Sequence, residues 1–383
     1  MKKTLIALAA LGAMAGVAHA QSTVTLYGIL DANIQSLKTN VLGTGAQAGT
    51  IQNMTQGRID SDGLNGSRWG LRLSEDLGGG LAAVGNLESG LDISTGASGQ
   101  GGLLFGRRAN VGLTSGFGTV TLGRNSTSYD DVSSDHAMMG GTIFDPSYPF
   151  VPFTQAQIQG IAAPTVATLA PFVGNRPGAW VGYNQRMNNS VKYISPNFSG
   201  FSGSVIYGFG EDKTTAVGAS RSYGANLKYA NGPLLVSGGY QSDGFSRTVL
   251  GAGNKPALEN TLLNVAYDFG VAKIGAGFNR AKFKDILATG SLDAQKEYSL
   301  SVAVPLGATT LSAGYAQSKG DTLGKSSGFG VQALYSLSKR TTLYAGAQST
   351  KAYDNVVNAV QILSPASSIS RTSVYAAGIR HTF

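Results

Sequence analysis

Along most of its length the chain alternates apolar and polar side chains in short runs separated by tight breaks. In Arg68-Trp-Gly-Leu-Arg-Leu-Ser74 one parity holds Trp69, Leu71 and Leu73, and the other holds Arg68, Gly70, Arg72 and Ser74. On a period-two strand every apolar side chain then lies on one face. The same split recurs in residues 261–268, with Leu263, Val265 and Tyr267 against Asn264 and Asp268, and in Tyr298, Leu300, Val302 and Val304 against Ser299, Ser301 and Ala303. Seven breaks punctuate the pattern: Asp76-Leu-Gly-Gly-Gly80, Ser115-Gly-Phe-Gly-Thr119, Pro196-Asn-Phe-Ser-Gly200, Ala230-Asn-Gly-Pro233, Asp268-Phe-Gly-Val271, Pro305-Leu-Gly-Ala308 and Ser338-Lys-Arg-Thr341. All but the last contain the Gly, Asn, Asp or Pro that tight turns use. Most lie roughly 33 to 40 residues apart, enough for a strand, a looser loop and a returning strand. Seven tight turns and two free ends predict eight hairpins, an all-β chain of 16 antiparallel strands.

Short turns on one rim and long loops on the other, around a wall apolar outside and polar inside, predict a transmembrane β-barrel. A soluble β-sandwich also alternates, but 16 strands would need several sandwich domains, and no linker or charge block separates any. The 54 glycines are spread along the whole chain. No apolar run reaches the roughly 18 residues of a spanning helix. The longest, residues 5–18, follows Lys2-Lys3 and precedes Ala18-His19-Ala20, as in a cleavable secretory leader, so residues 1–20 are expected to be removed and 21–383 to form one barrel domain. Loss of the two lysines leaves a net charge of +6, too small and too dispersed for nucleic-acid binding. With no cysteine, neither disulfides nor thiolate metal sites contribute. Many of the 16 tyrosines, among them Tyr27, Tyr193, Tyr207, Tyr229, Tyr267, Tyr298, Tyr335 and Tyr375, fall near strand ends, as in an interfacial aromatic girdle.

Residues 25–31 (TLYGILD), the block 67–81 (SRWGLRLSEDLGGGL), Leu87-Glu88, residues 105–113 (FGRRANVGL), 117–124 (FGTVTLGR), 189–193 (NSVKY) and the terminal Phe383 together resemble the trimeric general porins of Gram-negative outer membranes, especially those of beta-proteobacteria. The resemblance spans the chain beyond the leader. It implies a homotrimer in outer-membrane lipid and lipopolysaccharide, with one pore per subunit for passive diffusion of small hydrophilic solutes and ions. It also implies a C-terminal strand read by the outer-membrane assembly machinery, here with Tyr375, Ile379 and Phe383 on one parity. Thr382 departs from the basic residue frequent before that Phe.

A filter in such a lumen needs fixed charge at a narrow point. Between Thr119 and Pro196 the alternation lapses: residues 125–177 hold six of the eleven prolines and cannot form wall. The resemblance makes the first part of this segment the third extracellular loop, folded inward at the constriction. It sets against that loop a basic wall cluster matching Arg68, Arg107 and Arg186, with Glu88 on a neighbouring strand and Asp135 as the loop acid. Arg68 and Glu88 also have lumen parity; either Arg107 or Arg108 could face the pore. Asp31, Arg72, Arg108, Arg124, Asp130, Asp131 and Lys192 are further candidates for the pore lining. Residues 144–177, with Phe144, Tyr148 and Phe150, are too apolar for a loop in water and are expected to be a packed insertion; a hidden hairpin making 18 strands, as in a sugar- or carboxylate-specific channel, is the alternative.

Enzymatic readings lack a base: beyond His19 only His136 and His381 remain, one in the inferred loop and one on lipid parity. Residues 320–326 (GDTLGKS) are one residue short of a phosphate-binding loop, and no metal-ligand spacing or cofactor motif occurs. The excess of wall arginines predicts a pore with moderate anion preference.

Overall fold

The computed structural model describes residues 22–42, 50–150, 178–211, 213, 219–244, 256–285, 293–355 and 368–383. The expected leader (1–20) and most of the expected insertion (144–177) lie outside the described residues. In chain order the strands are β1 (Thr23–Leu42), β2 (Ile51–Ser61), β3 (Arg68–Gly78), β4 (Leu81–Gly90), β5 (Arg108–Ser115), β6 (Gly118–Ser126), β7 (Pro149–Phe150), β8 (Trp180–Val181), β9 (Arg186–Ile194) and β10 (Phe201–Gly208). They continue as β11 (Ser222–Asn231), β12 (Leu234–Gly244), β13 (Ala257–Asp268), β14 (Lys273–Lys284), β15 (Gln295–Leu306), β16 (Thr309–Gly320), β17 (Gly324–Ser336), β18 (Thr341–Lys351) and β19 (Ser368–Thr382).

Each wall strand pairs antiparallel with its neighbours, and β1 closes the sheet on β19 from Ile29↔Thr382 to Leu42↔Ser368. Phe383 completes the seam by exchanging both backbone bonds with Gly28, at 3.0 and 3.1 Å. The lower half of β1 pairs with β3 and its upper half with β2, so β2 and β3 are two halves of one wall strand. Apart from the two-residue pair β7 and β8, this gives a closed barrel of 16 antiparallel strands. All seven expected breaks are hairpin turns between consecutive wall strands; six place a glycine at positive φ, for instance Gly232 at 55°, and in the seventh Ser338 Oγ accepts the amides of Arg340 and Thr341 at 3.1 Å each. Because β6 pairs directly with β9, the wall has no place for a further hairpin between them, and the 18-stranded alternative is corrected.

Burial is inverted relative to a soluble protein. Leu263, Val265, Tyr267, Tyr298, Leu300, Tyr315 and Phe329 are exposed on the outside, while Gln241, Asn260, Asn264, Asn279 and Ser301 are buried on the inside. What buries them are the segment 127–148 and residues 182–184, which lie in the lumen against the wall. Tyr129 donates to Asn279 Oδ1 at 3.0 Å, Asn264 donates to the Val132 carbonyl at 2.7 Å, and Ser301 Oγ bonds both the His136 carbonyl and the Met138 amide, at 2.8 and 2.9 Å. Such close approach needs wall positions without side chains. A Cβ on Gly277 would stand 2.6 Å from the His136 ring, one on Gly346 2.8 Å from the Phe144 ring, and one on Gly330 would collide with the Phe144 carbonyl.

The far end of this segment docks on the interruption between β2 and β3. There Asp31, fully buried, accepts the amides of Gly63, Leu64 and Asn65 at 3.1, 2.7 and 2.8 Å as well as the Tyr344 hydroxyl. These bonds fold residues 62–67 into the barrel, where Leu64 packs with Met139, Ile143 and Phe144 and the Gly63 carbonyl accepts the Ile143 amide at 2.9 Å. Asp31→Ala would take the acceptor from the amides of Gly63, Leu64 and Asn65 and from the Tyr344 hydroxyl, a loss of about 3 kcal/mol or more. The expected outcome is a barrel that converts from its folded to its unfolded electrophoretic form at a clearly lower temperature; an unchanged conversion temperature contradicts the anchoring role.

Inside the lumen segment His136 contacts Asn264 Oδ1 at 2.9 Å and Ser147 Oγ at 3.2 Å, and Ser147 donates to Asp145 at 2.7 Å. Burial lowers His136 from 6.5 to about 4 and raises Asp145 from 3.8 to about 6. Between pH 6.5 and 4 the unfolded chain protonates His136 while the folded one does not, which destabilises the fold. Over about 6 to 4 the folded chain protonates Asp145 while the unfolded one does not, which stabilises it. The two effects offset in the wild type. In Asp145→Asn the melting temperature relative to wild type is expected to fall as pH drops from about 6 to 4, and in His136→Gln to rise as pH drops from 6.5 to 4; pH-independent differences in both overturn this account.

Candidate pore constriction

Wall strands β4, β5, β6, β9 and β10 have only 8 to 10 residues, against 11 to 13 for β12–β17. At their ends away from the short turns stand Glu88, Arg108, Arg124 and Arg186, with Arg68 heading β3 and Arg107 just ahead of β5. Period-two alternation fixes the inward set. Gly70 pairs with Glu88, and Glu88 with Arg108, so Arg68, Arg72, Glu88 and Arg108 share the lumen face. Arg107, before the regular ladder, also reaches inward: its Nε lies 2.7 Å from Glu88 Oε1. Both arginines of the pair therefore meet the lumen, where the sequence left one or the other.

Glu88 is the hub of the cluster. Its second oxygen accepts from Tyr27 at 2.8 Å and lies 4.0 Å from Arg68 Nε, while the Arg72 guanidinium stacks 4.1 Å over the Tyr27 ring. Tyr27, expected in the lipid-side girdle, is thus a lumen residue; its parity with Arg68 across the β1–β3 register was the signal. Arg186 is within electrostatic reach of Arg107, Arg124, Glu88 and Asp130. Arg124 is held by the Gly106 carbonyl at 2.7 Å and by Asn188, and with Arg186 it lines a cavity of about 470 Å³ together with Asn184, Asn188 and Glu211.

The loop acids are distributed differently from expectation. Asp135 does not face the arginines but pairs with Lys228 on β11 at 2.8 Å, a residue the sequence reading passed over although it shares lumen parity with Asn226. Asp131 pairs with the buried Lys192 at 2.6 Å, so Lys192 ties down the loop rather than lining open water. Asp130 accepts from Tyr183 at 2.9 Å, and burial raises its pKa above the usual carboxylate range. Asp31 is corrected outright: it is a buried anchor, not a lining residue. What remains is six guanidiniums, Arg68, Arg72, Arg107, Arg108, Arg124 and Arg186, against the carboxylates of Glu88, Asp130, Glu211 and Asp243. Such an excess in a narrow, low-dielectric passage concentrates anions and repels cations.

On the outer wall, Tyr375, Ile379 and Phe383 are exposed together on β19 and its end, with Lys38 Nζ 5.4 Å from the centre of the Tyr375 ring. Among the described residues no cluster of His, Asp or Glu has metal-binding geometry.

Residues 7–355 match the family of Gram-negative porins. The chain is 34% identical over 290 residues to an outer membrane porin protein 32 of Delftia acidovorans, covering 74% of this chain and 71% of that protein. It is likewise 34% identical over 295 residues to an outer membrane porin protein of Bordetella pertussis, covering 73% and 69%. Among solved structures, an anion-selective porin from Comamonas acidovorans superposes with a TM-score of 0.71 at 26% identity, over 95% of this chain and 100% of the other. Sixteen wall strands, an inverted burial pattern and these matches agree: the chain belongs to the Gram-negative porin family, the channel-forming β-barrels of the outer membrane.

Proposed function

We propose that this porin passes small hydrophilic solutes and ions with a moderate preference for anions, set by Arg68, Arg107 and Arg186 with Arg108 and Arg124 beside them. The observation that carries this reading is the charge imbalance: Asp131 and Asp135 are each taken up by a lysine, so the arginines outnumber the carboxylates left beside them, Glu88, Asp130, Glu211 and Asp243. The anion selectivity named for the Comamonas protein supports it. Residues 127–148 act as the constriction loop, held against β9, β11 and β13–β18 and set opposite the arginines.

Reversal potential across a planar bilayer in a potassium chloride gradient tests the filter. At about 0.1 M salt the screening length is near 10 Å and chloride should dominate; at about 1 M it is near 3 Å and the preference should fade. Arg68→Ser with Arg186→Ser should move the reversal potential toward cations and enlarge the conductance, whereas Glu88→Gln should move it further toward anions. Wild-type selectivity in the double arginine variant at low salt would sink the proposed filter. Conductance that saturates with one sugar or carboxylate would replace it with a substrate-specific channel.

We further propose that residues 1–20 are a cleaved leader, that residues 21–383 assemble as a homotrimer, and that the outward row Tyr375, Ile379 and Phe383 is read by the assembly machinery. Deleting Phe383 and, separately, Tyr375→Asp should each leave export intact while lowering the yield of membrane-inserted trimer, measured by native mass and by unheated electrophoresis. Full trimer yield in both variants removes the assembly signal, and a wild type that runs only as monomer removes the trimer.

A further inference from the structure

The chain contains two Asn-Gly steps, Asn65-Gly66 and Asn231-Gly232. Such a step is chemically weak, because a glycine without Cβ lets its own backbone nitrogen reach the side-chain carbonyl of the asparagine before it. Asn231-Gly232 forms the exposed turn between β11 and β12. Asn65-Gly66 belongs to the pivot of residues 62–67 inside the barrel, and its surroundings are unlike those of the turn.

Nearly every amide of the pivot is engaged. Asp62 donates its own to the Asp31 carbonyl at 3.0 Å, Gly63, Leu64 and Asn65 donate theirs to the Asp31 carboxylate, and Ser67 donates to Asp62 Oδ1 at 2.6 Å. Among the described residues the Gly66 amide alone in this run has no acceptor, so the attacking nitrogen is free. The electrophile is held as well. Arg380 Nη1 donates to Asn65 Oδ1 at 2.8 Å, steadied by Nη2 on Thr342 Oγ1 at 3.1 Å; a guanidinium can only donate, so the atom it polarises is the carbonyl oxygen. A second cation lies beside the nucleophile, since a Cβ on Gly66 would stand 2.9 Å from Arg107 Nη1. Negative charge that develops on the Gly66 nitrogen and then on Asn65 Oδ1 meets a guanidinium at each place, as in an oxyanion hole. Asn231 has no such help: its side-chain nitrogen donates to the Tyr229 hydroxyl at 3.1 Å, and among the described residues no cation touches its oxygen.

We propose that Asn65 is a self-modification site, at which intramolecular attack by the Gly66 nitrogen converts the side-chain amide into a carboxylate. The Gly66 nitrogen loses its proton to lumen water and bonds to Asn65 Cγ, while the carbonyl electron pair moves onto Oδ1 under Arg380. Collapse of this intermediate breaks the bond from Cγ to Nδ2, which takes a proton from water and leaves as ammonia, and a five-membered succinimide remains. Water then opens the ring at either carbonyl, giving aspartate or isoaspartate; one water is consumed and one ammonia released. Proximity makes so poor a nucleophile competent. The aspartate product keeps Arg380 as a charge-assisted pair, and the isoaspartate lengthens the backbone by one methylene beside Arg107. Either way a negative charge enters the lumen next to the arginines, and anion preference falls as the protein ages. The chemistry is independent of the pore's selectivity; only this last consequence rests on the anion filter.

The test is peptide mass spectrometry of the full barrel held in neutral detergent at neutral pH in heavy-oxygen water. Asn65 should take up the label, with aspartate and isoaspartate separated by electron-transfer fragmentation, and Asn231 in the same sample is the internal reference. Arg380→Gln should slow conversion of Asn65 at least roughly tenfold, short of the hundredfold that one oxyanion donor contributes at enzyme sites, and leave Asn231 unchanged, whereas Arg380→Lys should stay near wild type. The denatured wild-type chain gives the same comparison without a variant: once both guanidiniums are removed Asn65 should convert no faster than Asn231, while in the folded barrel it runs ahead. An unlabelled Asn65 in the folded barrel, or equal conversion in wild type and Arg380→Gln, overturns the site. In a planar bilayer at low salt Asn65→Asp should move the reversal potential toward cations, by less than Arg68→Ser with Arg186→Ser. Conversion of Asn65 with no change of selectivity in Asn65→Asp counts against the anion filter and leaves the modification standing.

Discussion

Everything in this molecule depends on the absence of water in the hydrocarbon zone. An amide or carbonyl left unpaired there costs several kcal/mol, so a sheet can cross only if it has no edge. The seam between β1 and β19, finished by the exchange between Gly28 and Phe383, removes the last one. With the ladder saturated, side chains no longer have to make an apolar interior. The polar face is released to the lumen, the apolar face to lipid, and charge can be placed inside at no cost to the wall.

That freedom is used in an uneven way. On the β12–β18 side the lumen is filled by the segment after β6, held by Asn264, Asn279 and Ser301 and admitted by wall glycines. On the β3–β9 side the wall is low and lined with arginine. Among the described residues, a packed half of the lumen faces a charged half. The pivot joining them is residues 62–67, bent inward by Asp31 and touching Ile143 and Phe144. A single buried carboxylate thereby couples the seam strand, the interrupted wall strand and the loop.

The wall was legible in the sequence because alternation and turn chemistry are local. All seven breaks became hairpins, and Arg68 and Glu88 could be set on the lumen face by counting parity. Other features depend on contacts distant in sequence. Asp31 and Leu64 are 33 apart, Asp31 and Tyr344 313 apart, and nothing local distinguishes this aspartate from a lining one. The pairing of Asp135 with Lys228 was hidden for the same reason. Arg107 escaped parity because it precedes the ladder, where alternation no longer dictates direction. Tyr27 was misplaced because strand-end aromatics occur on both faces, and only the register with Gly70 separates them.

The glycines beneath the loop impose a one-way rule on how this channel can vary. No residue is smaller than glycine, so at positions such as Gly277, Gly330 and Gly346 no substitution can let the loop settle deeper. Each one pushes it toward the arginines or releases it. Divergence among such channels can therefore narrow the passage from the wall side, but widening it has to come from the loop or from the arginine face, and inherited differences in bore should be concentrated there.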